Sequence, residues 1–226
     1  MAVYIIDTET TGITDPEPIQ VAWIKLDSLG LEVGRFESLY RPSKPISFGA
    51  MATHHILDSD LRDSEPSSSF RLPEDCHFLI GHNIDFDWQV LGKPDVKRIC
   101  TLALSRSLYP HLDSHSLGAL SYFLSFPDVH GEVGEMRERL KGAHDALSDA
   151  LLTLDLLRNI VSDIEITYPL DFNELWEKSE EARIPTVMPF GKHKGVPLKE
   201  VPSDYKRWLR GQPDVDPYLL KALGAS

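Results

Sequence analysis

The stretch that decides the fold is VYIIDTETTG, residues 3–12. Apolar and β-branched side chains fill its first half, which predicts a buried strand over residues 3–9. Side chains alternate between the two faces of a strand, so Asp7 and Glu9 project to the same side at the end of an apolar element. Two carboxylates about 4 Å apart repel by roughly 4 kcal/mol at an effective dielectric of 20. The pair is therefore expected to be solvated, protonated or bound to a cation.

The pattern continues outward from this strand into a mixed sheet. Apolar and β-branched runs predict further strands, and apolar spacing of three and four residues predicts helices. The predicted strands are residues 19–26, 36–40 and 76–80, and the predicted helices are residues 50–57, 101–108, 117–126 and 145–164. Strands come first and then alternate with helices, which predicts an α/β fold, a mixed sheet with helices packed on it.

Composition indicates an ordinary globular chain. Of its 226 residues, 42% are hydrophobic and 26% are charged, which excludes a disordered or fibrous protein. No run of 18 apolar residues is present, so no membrane span is expected. The start of the chain has no basic and apolar leader, which predicts a cytoplasmic protein. Cys76 and Cys100 are too few for a disulfide framework or a zinc site.

The charge is unevenly distributed. The net charge is −12, yet residues 185–226 carry +3 and residues 1–184 carry −15. An acidic body argues against binding to phosphate backbones. The change from an acidic to a basic part of the chain, with a polar segment between them, predicts three regions. They are a domain over residues 1–165, a polar linker over 166–184 and a small basic module over 185–226.

Two further segments place acids at the ends of apolar elements. The segment GHNIDFD follows a predicted strand, and a helix start needs only one of Asp85 and Asp87 as its cap. The segment HDALSD opens the longest predicted helix. His144 and Asp149 would lie about 140° apart if both were helical, so a shared site requires His144 on the loop before the helix. Singly, each residue is better explained as a cap or a solvated surface residue.

The three segments together form an ordered pattern. They are Asp-Thr-Glu-Thr-Thr-Gly from Asp7, His-Asn-x-x-Phe-Asp from His82 and His-x-x-x-x-Asp from His144. This pattern resembles the three motifs of the DEDDh exonucleases, as do residues 50–54, 99–102 and 115–120. The resemblance implies an RNase H-like fold, in agreement with the order of strands and helices. It implies five catalytic residues, four metal-binding acids and one histidine: Asp7, Glu9, Asp87, Asp149 and His144.

The resemblance extends along the chain to the bacterial exodeoxyribonuclease X group. It rests on Arg41-Pro42 and on two C-terminal segments, FGKHKG and DYKRWL. Two positions depart from the family pattern or add to it. Gln20 stands where many relatives carry Glu, and Asp85 is an extra acid without an assigned role.

The implied acids suit hard, oxygen-preferring cations. Four carboxylates are expected to bind two Mg²⁺ or Mn²⁺ ions per site, about 3.5 to 4 Å apart, which hold the attacking and leaving oxygens of a phosphodiester. His144 is expected to take the proton from the attacking water. Bound cations would also offset the acidic cluster. The implied reaction is hydrolysis of DNA from the 3′ end to nucleoside monophosphates, in DNA repair or recombination.

Substrate-contacting residues are expected around these acids. They are Thr8, Thr11, Gly12, Ile13, His54 and Asn83. Ile13 lies on the loop after the first strand, where an apolar side chain can wedge against the terminal base pair. The alternative is that Ile13 folds back onto the core.

Other functions remain open at this point. An RNA-directed 3′ exonuclease of the RNase T or oligoribonuclease type shares the three motifs, and a non-catalytic nucleic-acid-binding relative is a third alternative. The segment from Gly191 to Gly195 lacks the spacing of a phosphate-binding loop and predicts a tight turn. Basic residues after it are candidates for duplex phosphates: Lys192, Lys194, Lys206, Arg207 and Arg210. The expected partners are single-stranded or duplex DNA 3′ ends, with no membrane, and a homodimer is a further expectation.

Overall fold

Six strands form one sheet with the first strand at its centre. The computed structural model describes residues 2–125, 132–166 and 168–224. The strands are β1 (Ala2–Thr10), β2 (Pro18–Leu26), β3 (Glu32–Arg41), β4 (Glu65–Pro66), β5 (Cys76–Gly81) and β6 (Lys97–Cys100). Their order is β4-β3-β2-β1-β5-β6. The pairs β1–β2 and β2–β3 are antiparallel, whereas β5 is parallel to β1 and to β6. The predicted mixed α/β sheet with an RNase H-like order is confirmed.

Helices cover both faces of this sheet. They are α1 (Phe48–His54), α2 (Asp85–Val90), α3 (Thr101–Leu108), α4 (Leu117–Ser125), α5 (Glu132–Arg139), α6 (Ala146–Asp163), α7 (Phe172–Ala182), α8 (Ser203–Arg210) and α9 (Pro217–Ala222). The predicted bounds of α3 agree with the structure. The last residue of the predicted helix 117–126 lies outside the described residues.

Two helices begin where a side chain caps them, and this corrects the predicted bounds. The hydroxyl of Ser47 accepts a hydrogen bond from Ala50 N, so α1 begins at residue 48 rather than 50. It ends at His54 rather than 57, because His55 adopts a left-handed backbone with φ +60°. Asp145 caps α6 by accepting from Ser148 N.

The two faces of β1 pack into different hydrophobic clusters. Val3 and Ile5 belong to the larger cluster, which includes residues of α6 and α7. Tyr4 and Ile6 belong to a second cluster on the other face. The apolar half of β1 is therefore buried on both sides and holds the end of the strand in place.

The segment that the sequence predicts as a linker, residues 166–184, contains a helix. Helix α7 occupies 11 of these residues, and its Phe172 and Leu175 lie in the larger core cluster. The hydroxyl of Ser179 accepts a hydrogen bond from Cys100 N at 2.8 Å. The apolar positions of α7 have helical spacing, but the charged residues between them lower the average hydrophobicity and gave the segment its polar character.

Residues 185–224 have a hydrophobic cluster of their own. Its buried members are Met188, Leu198, Val201, Leu209, Leu219 and Leu223. Whether this segment is a separate domain stays a prediction. None of the described helices is long and apolar enough to cross a membrane.

Candidate active site

The carboxylates of Asp7 and Glu9 lie at the end of the central strand. Glu9 is buried and pairs in register with Gln20 of β2, and Asp7 pairs with Ala22. Burial and the nearby carboxylates Asp87 and Asp149 raise the pKa of Asp7 well above its usual range. Burial and repulsion, chiefly from Asp149, raise the pKa of Glu9 to about 8. The acids that the sequence predicts on one side of β1 therefore face other acids.

The second motif brings Asp87 to the same place. A Cβ atom at Gly81 would lie 3.1 Å from the backbone oxygen of Ile6, so the close approach of β5 to β1 favours glycine there. Helix α2 then carries the buried Asp87, whose Oδ1 accepts a hydrogen bond of 2.8 Å from the Thr8 hydroxyl. Burial raises the pKa of Asp87 to about 7, although this hydrogen bond opposes the shift. Thr8 thus holds a carboxylate of the site.

The third motif contributes His144 and Asp149 from the start of α6. His144 precedes the cap residue and has φ +65°, so it lies on the loop as its spacing predicts. Its backbone N donates to Asp149 Oδ2 at 3.3 Å. Burial raises the pKa of Asp149, and the neighbouring His144 partly offsets this shift. Ligand atoms of Glu9, His144 and Asp149 all lie within 4.8 Å of one another.

The four acids have no basic partner within the described part of the chain. Ten lysine and arginine side chains form ion pairs there, but none pairs with Asp7, Glu9, Asp87 or Asp149. Like charges held together in a low-dielectric site favour a bound cation. Carboxylate oxygens are the donors that Mg²⁺ and Mn²⁺ prefer. The residues present therefore fit a divalent cation.

Gln20 connects the sheet to the third motif. Its Nε2 donates to Glu37 Oε1 and to Asp145 Oδ2, both at 2.8 Å, and its Oε1 accepts from Ala146 N at 3.1 Å. Both amide hydrogens are therefore in use within the protein. Burial raises the pKa of Asp145, but hydrogen bonds from Ser148 and Gln20 outweigh that effect and lower it overall. Gln20 therefore anchors the start of α6. The sequence does not indicate this role, because Gln20 and Asp145 are 125 residues apart.

The loop after β1 is held against α1. Gly12 has φ +148°, and a Cβ atom there would lie 2.9 Å from the Ser47 hydroxyl. The Thr11 hydroxyl accepts from Glu17 N at 3.1 Å. Ile13 is 89% exposed, so it does not fold back onto the core. Phe48, at the start of α1, is also exposed and had no signal in the sequence analysis.

The remaining two predicted contact residues differ in exposure. His54 is buried, its Nδ1 accepts from Ile56 N at 3.0 Å, and Nε2 therefore donates to Thr10 O at 3.2 Å. Burial lowers the pKa of His54. Both of its ring nitrogens thus serve the fold and support the end of β1. Asn83 is exposed and has φ +69°, a backbone conformation that asparagine tolerates.

Asp85, the extra acid of the second motif, joins distant parts of the chain. It forms ion pairs with Arg98 of β6 and with Arg183, at 3.0 Å for Arg183 Nη1. The Arg183 side chain is 4% exposed, and its Nη1 also donates to the Tyr218 hydroxyl of α9 at 2.6 Å. Asp85 therefore has a structural role, which local sequence does not indicate because Arg183 is 98 residues away.

We expect Asp85→Asn to lower the stability of the protein. Removing Asp85 leaves the buried Arg183 guanidinium with only the longer ion pair to Glu180, at 3.6 Å. Breaking an ion pair in this way costs several kcal/mol when both partners are fully buried. Asp85 is partly exposed, so we expect about 2 kcal/mol, or a fall in melting temperature of about 6 °C. Thermal unfolding followed by circular dichroism measures this.

Asp95→Asn is the matched control, because Asp95 is exposed and forms no ion pair among the described residues. Its melting temperature should stay within about 2 °C of the wild type. Equal melting temperatures of the two variants would contradict the structural role of Asp85.

Comparisons with known proteins identify the family of this chain. The sequence model of the family described as "Exonuclease" (RNase_T) matches residues 4–157. The chain belongs to this exonuclease family, in its DEDDh 3′-to-5′ branch. A second model, of a quorum-sensing-regulated virulence factor family, matches residues 180–214.

Individual relatives cover most of the chain. It is 28% identical to exodeoxyribonuclease 10 of Escherichia coli K12, over 91% of this chain and 89% of that protein. It is 24% identical to the DNA polymerase III subunit epsilon of Aquifex aeolicus, over 73% of this chain and 82% of that protein. A structure of exonuclease X with 5′ overhanging duplex DNA matches 78% of this chain and 99% of that chain, with 26% identity and a TM-score of 0.59. E. coli exonuclease I with a dT13 oligonucleotide matches 73% of this chain and 42% of that chain at 20% identity and a TM-score of 0.55, which supports the fold alone.

Proposed function

We propose that this chain is a metal-dependent 3′-to-5′ exodeoxyribonuclease acting in DNA repair or recombination. One observation carries the proposal: Glu9, His144 and Asp149 converge within 4.8 Å at the end of β1. The half-buried Asp7 and the buried Asp87 lie beside them, and repulsion among these carboxylates contributes to the raised pKa values of Asp7 and Glu9. Carboxylates from three separate motifs that meet at one point favour a bound cation.

The choice of DNA as substrate rests on relatives. The E. coli relative is called an exodeoxyribonuclease, and the matched exonuclease X structure contains duplex DNA with a 5′ overhang. We extend this substrate class to the present chain, with single-stranded and duplex 3′ ends as candidates. An RNA-directed exonuclease is the alternative, because the three motifs do not distinguish the sugar.

The metal would be held by Asp7, Glu9, Asp87 and Asp149. We propose Mg²⁺ or Mn²⁺, two per site, on the basis of the all-carboxylate donor set. When bound, the cations supply charge stabilisation for the reacting phosphate and lower the pKa of a bound water. The part of Thr8 is to keep Asp87 oriented and to lower its proton affinity through a 2.8 Å hydrogen bond. Burial of Glu9 and Asp87 keeps competing water away from these carboxylates.

His144 is proposed as the general base. Its side chain is exposed on the loop before α6, and its backbone N bonds to Asp149 at 3.3 Å, so the imidazole is positioned beside the acids and remains accessible to water. A neutral imidazole can accept the proton of the attacking water. Gln20 and Asp145 position this loop through the hydrogen bond at 2.8 Å between them. Both act on the reaction indirectly.

The substrate-contacting set divides by accessibility. Ile13 and Asn83 are exposed and are proposed to touch the 3′ terminal nucleotides. Gly12 is proposed to let the loop backbone approach the substrate closely. Thr8, Thr11 and His54 are buried and engaged in hydrogen bonds within the protein, so we assign them positioning roles.

Ile13→Ala is expected to slow digestion of duplex ends by about tenfold and of single strands by less than threefold. Unstacking the terminal base pair costs a few kcal/mol, and contact with an exposed apolar side chain offsets part of that cost. Only a duplex needs its last pair opened. Initial rates on a blunt 20-base-pair duplex and on the corresponding single strand measure the ratio.

Leu31→Ala is the control, since Leu31 is another exposed apolar residue, outside the site. It should leave both rates unchanged. Equal slowing of both substrates by Ile13→Ala would show that Ile13 acts by packing. Another part of the chain would then have to open the duplex end.

A single assay tests the proposed function. DNA single strands, DNA duplexes and RNA of the same sequence, each labelled at the 5′ end, are incubated with EDTA, Mg²⁺ or Mn²⁺. We expect ladders that shorten from the 3′ end only with metal and faster on DNA. Faster digestion of RNA would favour the RNA-directed alternative. Binding without cleavage under every condition would identify a non-catalytic relative.

A further inference from the structure

Residues 185–224, here called the C-terminal module, present a surface that the proposed catalysis does not use. The module has a small hydrophobic cluster that includes Met188 and Leu209. Backbone hydrogen bonds join Met188 N to Val196 O and Gly195 N to Met188 O, each at 2.8 Å. The turn containing His193 and the helix α8 are therefore held in a defined geometry.

Three aromatic rings lie in a row on this scaffold. Tyr205 lies between His193 and Trp208, with ring centroids 4.6 Å and 5.3 Å apart respectively. Tyr205 is half-buried, and Gly191 leaves room for its hydroxyl. Trp208, at the end of the row, is 55% exposed. Exposed aromatic rings supported by other rings are typical platforms for stacking of unpaired bases.

The basic residues around these rings form no ion pairs within the described part of the chain. Ten of the sixteen lysines and arginines of residues 1–184 form ion pairs, but none of the seven in the C-terminal module does so among the described residues. Lys192 and Lys194 flank His193, and Arg207 precedes Trp208. All three are exposed. The module is thus the basic part of an otherwise acidic chain, and its cations are available to phosphate.

We propose that this surface binds single-stranded DNA, with bases stacked on Trp208 and phosphates near Lys192, Lys194 and Arg207. The identity of the polymer rests on the proposed function, whereas the binding mode rests on the module alone. A duplex would use the cations but would leave the exposed ring without a base, because paired bases are stacked on each other. The surface would supply the attraction for the substrate strand that a body of charge −15 lacks.

Substitutions at Trp208 in the full chain test the stacking. Binding of a labelled 20-nucleotide oligothymidine, of oligouridine of the same length and of a 20-base-pair duplex is measured by fluorescence anisotropy in EDTA, so that no cleavage occurs. We expect Trp208→Leu to weaken single-strand binding about tenfold, and Trp208→Phe to stay within about threefold of the wild type, because phenylalanine keeps a π face. Leu31→Ala, an equally exposed apolar position at 52%, should bind as the wild type does.

Salt dependence tests the role of the lysines. In the double variant Lys192→Gln and Lys194→Gln, the slope of log K against log salt should fall in magnitude by about 1.4, since each phosphate contact on a single strand contributes about 0.7. Melting temperatures of all variants should match the wild type, which separates loss of binding from loss of folding.

Several outcomes would overturn the proposal. They are unchanged oligothymidine binding in Trp208→Leu, equal losses in Trp208→Leu and Trp208→Phe, an equal loss on duplex, and tighter binding of oligouridine than of oligothymidine. Failure of the proposed function is visible separately, as absence of cleavage with Mg²⁺ or Mn²⁺ in a protein that still binds oligothymidine through Trp208.

Discussion

Asp87→Asn is expected to lower the rate of 3′ nucleotide release by about 10³-fold or more while leaving the metal-free protein at least as stable as the wild type. The loss of rate follows because a metal-binding carboxylate contributes several kcal/mol to the transition state through the cation it holds. The stability follows because burial raises the pKa of Asp87 to about 7, so its charged form is unfavourable in the fold. Asparagine removes that charge and can still accept the hydrogen bond from Thr8. Steady-state rates at saturating Mg²⁺ and melting temperatures in EDTA measure the two effects.

Asp85→Asn provides the matched comparison from the same helical turn. It should keep its cleavage rate at 25 °C and lose stability, the reverse of Asp87→Asn. The same result as for Asp87 is expected for Asp7→Asn, Glu9→Gln and Asp149→Asn. Normal cleavage by any of these four variants would remove that residue from the proposed metal site. A fall of more than about 5 °C in the melting temperature would identify a structural residue instead.

The raised pKa values also predict how pH affects the metal-free protein. Glu9, with a pKa of about 8, stays protonated in the fold at a pH where it is ionised in the unfolded chain. The folded state then binds more protons than the unfolded chain does. The free energy of unfolding therefore falls as the pH rises from the unfolded pKa of Glu9 to about 8. Burial lowers the pKa of His82 to about 4, which has the opposite effect below about pH 6.5. Between pH 6.5 and 8, the change in stability with pH therefore comes from the buried carboxylates rather than from His82.

Across that window we expect the wild type in EDTA to lose about 2 kcal/mol of stability, or about 6 °C in melting temperature. Glu9→Gln should lose clearly less, because glutamine does not titrate. Saturating Mg²⁺ should also flatten the curve, since a bound cation favours the ionised carboxylates. A wild-type melting temperature that stays level from pH 6.5 to 8 in EDTA would contradict the clustering of buried acids.

His144→Ala is expected to reduce turnover by about 10² to 10⁴-fold, the usual range for loss of a general base. The Mg²⁺ concentration that gives half-maximal rate should change little. General-base catalysis by His144 should also appear as a difference between the pH profiles of the wild type and the variant. Rate measurements from pH 5 to 9 at several Mg²⁺ concentrations test both statements.

His144 also lies within 4.8 Å of Glu9 and Asp149, a distance compatible with direct metal ligation. If His144→Ala recovers full rate at much higher Mg²⁺, the histidine is a ligand rather than a base. His115→Ala is not a suitable control, because the His115 ring bonds to Tyr109 O at 2.9 Å. His77 is the better control, because it is exposed on β5 away from the site and its ring bonds only to the nearby Asp75 O, at 2.7 Å. His77→Ala should retain the wild-type pH profile.

The sequence by itself determined the central strand and helix α3, and it predicted the acids of the proposed site. β1 has a local signal, a run of apolar and β-branched residues that ends in polar ones, and this signal depends on no distant contact. The spacing from His144 to Asp149 likewise required the histidine to precede α6, and Asp145 is the cap residue between them. Strand alternation brought Asp7 and Glu9 to one side for the same local reason.

Only the tertiary structure decided which residues support that site. Gln20 and Asp145 are 125 positions apart, and Asp85 and Arg183 are 98 apart, so no periodicity or motif spacing could connect them. The pKa of Glu9 likewise depends on burial and on neighbours from other elements. Helix α7 was not predicted, because its few apolar residues are separated by charged ones and their burial is visible only in their contacts with the core. Local sequence patterns indicate the backbone conformation that a segment prefers. The hydrogen-bond partners, the burial and the charged neighbours of a side chain depend on packing between distant segments, which exists only in the folded chain.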